Sequence, residues 1–268
     1  MNGLYNQLWK LLALPLLLYL ALPLAALMFR VPLADLMASL DEPQVQQAIR
    51  LSMITSFITT LLALVLGTPV AYLLAQRKTR FTRFADTLID LPTVLPPSVA
   101  GVALLMAFGR RGLLGPGLSS IGITIPFTLV AVIMAQTFVA ASYYVKAATI
   151  GYSGIDPELK QAAALDGAGN WQTFRFIAFP LASTAMLSGM VMTWARALGE
   201  FGATIIFAGN FPGRTQTMPL AIYLGFEIDL NVALTLSIIL IFLAFLSLMI
   251  VKGFLHRQLE ADFETNTD

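Results

Sequence analysis

The chain carries six windows with no Asp, Glu, Lys or Arg: residues 11–29, 51–76, 91–109, 112–145, 176–195 and 230–251. A helix that crosses a bilayer needs about 20 mostly apolar residues. Runs of this kind rarely recur in a soluble chain. Charged residues make up only 12% of the 268 residues and hydrophobic ones 57%. Soluble proteins carry about 25% charge. There is too little charge here to clothe a soluble globule. The expected fold class is therefore all-α, a polytopic membrane protein with about six transmembrane helices. The same composition excludes disorder. A net charge of +1 argues against a nucleic-acid binder. The chain has no cysteine, so disulfides and thiolate metal sites are excluded, and the single His256 cannot form a histidine cluster.

The fourth window is too long for one span. Its first part, Gly112–Ser120, is rich in Gly and Pro and reads as loop, which starts the helix near Ile125 or Pro126. The fifth span is expected to run past Arg196 and Glu200 to about Phe207. The first window, with Lys10 before it and Ala25-Ala26 near its end, has features of a signal peptide. Its apolar run exceeds the usual ~7–15 residues, so it is read as a retained helix. Pro15 and Pro23 are tolerated in a membrane helix.

Lys and Arg set orientation. With both termini cytoplasmic, Lys10, Arg77, Lys78, Arg80, Arg83, Lys146, Lys160, Arg175, Lys252 and Arg257 lie inside. Arg30, Arg50, Arg110, Arg111 and Arg214 lie outside, and Arg196 lies within a span. The Arg77–Arg83 cluster carries most of the bias. The expected organisation is one membrane domain, residues 1–259, followed by an acidic, frayed tail, residues 260–268.

The loop at residues 151–180 is longer and more patterned than the others. Asp156 suits an N-cap, Pro157 the first helical position, and Glu158 the positive helix end. Leu159 and Gln161–Leu165 are good helix formers, and Gly167 is placed to stop the helix. Asn170 is placed to cap a second short helix, with Trp171, Phe174, Phe176 and Ile177 available for the membrane edge. Two readings remain open on composition alone. One is a helix whose small side chains admit a partner surface; the other is an interfacial helix that merely closes a loop.

The segment Gln161-Ala162-Ala163, three residues, Gly167, nine residues and Ile177-Ala178-Phe179-Pro180 resembles the EAA motif of ABC importer permeases. Gln161 stands where the family pattern has Glu, and Phe179 where it has Leu. The resemblance implies the type I ABC importer permease fold. It also implies a coupling helix that sits in a cleft of a cytoplasmic ATPase, with Asp156, Glu158, Gln161, Ala162, Ala163, Asp166, Gly167 and Ala168 as the coupling residues. The chain has no phosphate-binding loop of its own, because no Gly is followed by Lys. It is accordingly read as a non-enzymatic subunit without a cofactor, and ATP and magnesium belong to the partner ATPase.

A charge inside a membrane is costly and usually faces a bundle interior or a pathway. Arg196 and Glu200 are four residues apart on one helix face, so they can pair. They read either as a structural ion pair or as a pathway gate, with Thr204 beside them. Residues 196–204 and 215–223 resemble the molybdate branch of these permeases, with sulfate and tungstate permeases as near relatives. The resemblance implies a homodimer, two ATPase subunits and an extracytoplasmic oxyanion-binding protein. Arg110, Arg111 and Arg214 are candidates for contacting that receptor or attracting its anion, against plain surface solvation. A secondary transporter is the alternative of another class, although the inverted repeat common there is not evident.

Overall fold

The computed structural model describes residues 2–76 and 79–265, with side chains for residues 10–76 and 79–253. Arg77 and Lys78 of the basic cluster and residues 266–268 of the tail lie outside the described residues, as do the side chains of His256 and Arg257.

All described secondary structure is helical. In chain order it comprises α1 (Asn2–Arg30), α2 (Leu33–Leu40), α3 (Pro43–Gln76), α4 (Arg80–Val94), α5 (Pro97–Phe108), α6 (Gly115–Ser120) and α7 (Leu129–Ser153). There follow α8 (Pro157–Leu165), α9 (Asn170–Thr173), a π-helical turn (Phe174–Ala178), α10 (Phe179–Leu198), α11 (Gly202–Phe207), α12 (Met218–Ile228) and α13 (Leu230–Thr265). Among the described residues, five helices are long and apolar enough to cross a membrane, or six if the bent pair α4–α5 counts as one span. This is a multi-pass membrane protein. The acidic tail expected to fray is helical through Thr265.

The centre of the bundle is α3, α7 and α10. Lipid tails are as apolar as leucine, so helices in a membrane associate through close van der Waals packing rather than through hydrophobic burial. Small residues supply that closeness. A Cβ on Gly189 of α10 would lie 2.8 Å from Ala147 Cβ and 3.2 Å from the Tyr144 Cα on α7. The fully buried Tyr144 hydroxyl lies 2.6 Å from Thr68 Oγ1 on α3. A row of Ser52, Thr55, Ser56, Thr59 and Thr60 is buried along α3. Thr59 Oγ1 donates to Gln136 Oε1 of α7 at 3.2 Å. Lys146 of α7 holds α4 by ion pairs to Asp86 at 2.7 Å and Asp90 at 2.8 Å.

Three expectations need correction. The window 91–109 is not one straight span: the chain bends by 118° between α4 and α5. Pro96 and Pro97 sit at the bend, where each removes a backbone donor and Pro97 pushes its neighbour out of helical geometry. The fourth long helix begins at Leu129 rather than Ile125 or Pro126, because Thr128 takes the N-cap and accepts from Ala131 N–H at 3.3 Å. The fifth span does not run straight to Phe207: it stops at Leu198 and restarts at Gly202.

Candidate functional site

The 151–180 loop forms as its capping chemistry dictates. Asp156 Oδ1 accepts from Glu158 N–H at 2.8 Å, which satisfies one orphan donor at the start of α8. At the other end Gly167 adopts φ +81°, a conformation that L side chains rarely take. That turn lets Ala168 N–H reach Ala163 O at 2.9 Å and Gly167 N–H reach Ala164 O at 3.1 Å. The last carbonyls of the helix are thereby paired.

Within α8 only Ala163 is buried. Asp156, Glu158, Gln161, Ala162, Asp166 and Gly167 are exposed, and Ala168 is half-buried. Leu165, 89% exposed, projects from the same short helix, with Leu159 also exposed. These two leucines were read as helix formers only, yet they give the helix its exposed apolar surface. Six of the eight candidate coupling residues are exposed on or beside the same short helix: Asp156, Glu158, Gln161, Ala162, Asp166 and Gly167.

The next segment connects this helix to the bundle. Gly169, not Asn170, is the N-cap of α9, and its N–H donates to Gln172 Oε1 at 2.8 Å. Phe174 is half-buried. It packs inward, 5.0 Å between ring centroids from Tyr72 of α3, which in turn meets Tyr152 of α7 at 5.3 Å. Trp171 stacks on Phe174 and remains exposed, as does Phe176. The π-helical turn runs directly into α10, so one continuous helical rod of 29 residues, Asn170–Leu198, leads from α8 into the bundle. Such turns recur at functional sites.

At the far end of that rod the helix breaks at Gly199, Glu200 and Phe201. Glu200 is 1% exposed and joins the two pieces. Its Oε2 lies 2.8 Å from Arg196 Nη1, and its Oε1 accepts from Ala203 N–H in the first turn of α11 at 2.9 Å. The Arg196 contact is a close ion pair without hydrogen-bond alignment, since no donor is directed at Oε2. Arg196 keeps 27% of its side chain exposed. Thr204 is fully buried, and its hydroxyl has no partner among the described residues. Arg196 and Glu200 thus meet at a discontinuity rather than on a straight helical face, and Thr204 lies beyond it in α11. A Cβ on Gly202 would lie 2.8 Å from Pro97 Cβ, so α5 seats tightly on α11 at the same level.

Other buried polar groups, on α7 and α10, were missed from the sequence. Thr193 and Gln136 are fully buried, with Thr193 Oγ1 and Gln136 Nε2 unpaired among the described residues. Unpaired buried polar groups are uncommon and call for an explanation such as water or a substrate path. For the hydroxyl row of α3, which meets Gln136 through Thr59, the visible signal was the i, i+3, i+4, i+7, i+8 spacing of Ser and Thr from Ser52 to Thr60.

The three candidate arginines are not one cluster. Arg110 and Arg111 sit in the turn after α5, whereas Arg214 follows Gly213 in the segment between α11 and α12. Arg214 shares a cleft with Arg50, which Arg110 and Arg111 do not line.

Residues 63–262 match the family described as binding-protein-dependent transport system inner membrane component. The chain belongs to this family. A molybdenum transport system permease protein of Mycobacterium tuberculosis is 41% identical to this permease over 226 residues, covering 84% of this chain and 86% of the relative. Its counterpart in Escherichia coli is 39% identical over 207 residues, covering 76% and 90%. A chain of a bacterial alginate ABC transporter superposes with a TM-score of 0.70 at 18% identity, over 94% of this permease and 92% of that chain. At that identity the likeness speaks for the fold alone.

Proposed function

We propose that the chain is the membrane permease subunit of an ATP-driven importer of molybdate. The identity of about 40% to molybdenum transport permeases over most of the chain carries this reading. In it the permease forms a homodimer, two cytoplasmic ATPase subunits supply ATP and magnesium chemistry, and an extracytoplasmic binding protein delivers the oxyanion. Both termini and the 151–180 loop face the cytoplasm, in keeping with the excess of Lys and Arg at that end.

The chain's own part follows from its connectivity. A force applied by the ATPase to the exposed face of α8 reaches α9 and the π-helical turn, where Phe174, Tyr72 and Tyr152 hold the loop to α3 and α7. It then passes along α10 to the Gly199–Phe201 break. There Glu200 is the latch: its two oxygens tie Arg196 at the end of α10 to Ala203 at the start of α11. Releasing one tie lets the two helix pieces re-aim without unfolding either. A path between two protomers also accounts for the exposed flank of Arg196, which is the membrane-level cation available to an oxyanion. Arg110, Arg111 and Arg214 serve receptor contact at the outer face.

The test is assembly. Co-expressed with its ATPase, the permease should purify as a complex of two permease and two ATPase subunits. Recovery of the permease alone, with no ATPase under any nucleotide condition, would return the chain to the secondary-transporter reading.

A further inference from the structure

At the end of the bundle opposite α8, the start of α3, the start of α7 and the turn before α12 enclose a cleft of about 520 Å³. Arg50 and Arg214 line it together with the amide of Gln47, and Leu51, Ile54 and Leu129 give it an apolar wall. Neither guanidinium has an ion-pair partner among the described residues, whose ion pairs are Lys146 with Asp86 and Asp90, and Arg196 with Glu200. Two uncompensated cations in one cleft favour an anionic occupant. Guanidinium groups match carboxylates in a planar, two-point geometry.

We infer that this cleft seats an acidic, partly apolar peptide segment of the extracytoplasmic binding protein. The inference rests on the transport reading above, which supplies that partner. Size and lining favour a peptide over the free oxyanion. A cleft in the range of about 300–1,000 Å³ accommodates a group far larger than a five-atom anion. The wall of Leu51, Ile54 and Leu129 offers nothing to a hydrated dianion, but it suits an aliphatic side chain beside a carboxylate.

The two arginines come from different elements, and those elements are fastened below the cleft. Gly213 turns the chain at φ +72°, close against α3, where its Cβ would lie 3.2 Å from Gln47 Oε1. Beneath, Met218 N–H donates to Ser52 Oγ at 2.7 Å, joining the start of α12 to α3. A segment that engages both Arg50 and Arg214 therefore grips two elements already joined at their base. Receptor binding thereby acts on α3, the helix that carries the buried Ser and Thr row.

The experiment uses the assembled permease–ATPase complex in nanodiscs and measures binding of the purified receptor at several salt concentrations. The Arg50→Glu, Arg214→Glu double variant should weaken receptor binding at least tenfold at low salt and flatten its salt dependence. In proteoliposomes it should raise the receptor concentration for half-maximal uptake, with the maximal rate recovered at high receptor. Arg50→Lys should lose less than Arg50→Glu. If the double variant does not assemble, Arg50→Gln, Arg214→Gln takes the same test. Receptor affinity within twofold of wild type overturns the inference. So does unchanged affinity with a maximal uptake that falls at every receptor concentration, which would mark an oxyanion seat. Binding that changes only on removal of anionic lipid would assign the cleft to a lipid phosphate and overturn it too. A wild-type complex that binds no receptor removes the transport reading and this inference together; a variant that binds as well as a binding wild type removes the inference alone.

Discussion

Replacing Glu200 should uncouple transport without dismantling the protein. Exposed ion pairs contribute about 0.2–1 kcal/mol, and removing one partner of a fully buried pair costs about 3–5 kcal/mol. Here one partner is 1% exposed and the other 27%, which lies between these regimes. The loss for Glu200→Gln is then about 2 kcal/mol, roughly a 30-fold change in the balance between tied and untied arrangements. Gln keeps an oxygen for Ala203 N–H; Ala does not, and should lose about 1 kcal/mol more through the missing cap. The assay is ATP-dependent molybdate uptake into proteoliposomes, run beside the ATPase rate and the yield of assembled complex. Glu200→Gln should cut uptake at least tenfold, hold complex yield within twofold, and raise the ATP hydrolysed per ion moved. A double-mutant cycle with Arg196→Gln should return a coupling of about 1–2 kcal/mol in complex stability. Uptake at the wild-type level would refute the latch. Uptake and yield falling in proportion would leave Glu200 a purely structural residue.

The other expectations concern α8, the proposed coupling helix, and the helix break. Gly167→Val places a β-branched residue at φ +81° at a cost of about 1–2 kcal/mol, with no steric clash because nothing lies within 4 Å. It should insert normally but recover several-fold less ATPase on purification, and full recovery would count against the coupling role. Leu165→Asp, at an 89% exposed position, should leave the permease intact and abolish ATPase binding; an intact complex would mean the partner does not use this face. Gly202→Ala should destabilise by about 1–3 kcal/mol through overpacking on Pro97, while Gly199→Ala, whose nearest contact is 3.8 Å away, should be close to neutral. Thermal denaturation of the complex separates the two, and equal melting temperatures would contradict the tight α5–α11 seat.

What was legible in the sequence was local. Asp156, Pro157, Glu158 and Gly167 specify the ends of α8 because caps are made between near neighbours in the chain. Charge-free windows likewise report which stretches suit hydrocarbon. They carry no information about direction, so the 118° bend at Pro96 and Pro97 was read as one span although the prolines were in view. The break at Glu200 was hidden for a related reason. A buried glutamate four residues after an arginine looks like an ordinary helical pair until its second oxygen is seen capping α11. The Arg50–Arg214 cleft was not legible at all, since it exists only because the Gly213 turn folds back on α3. The Ser and Thr row of α3 was written in the spacing, but small hydroxyls disappear in a search for charge.

The proposed function has ATP hydrolysis on a partner drive an oxyanion through this chain. Its direct test is uptake of radiolabelled molybdate by proteoliposomes holding the permease, its ATPase and the receptor, with ATP supplied on the ATPase side. Uptake should require all three proteins and hydrolysable ATP, and excess unlabelled molybdate should abolish it. Equal uptake by vesicles lacking the ATPase would contradict the account.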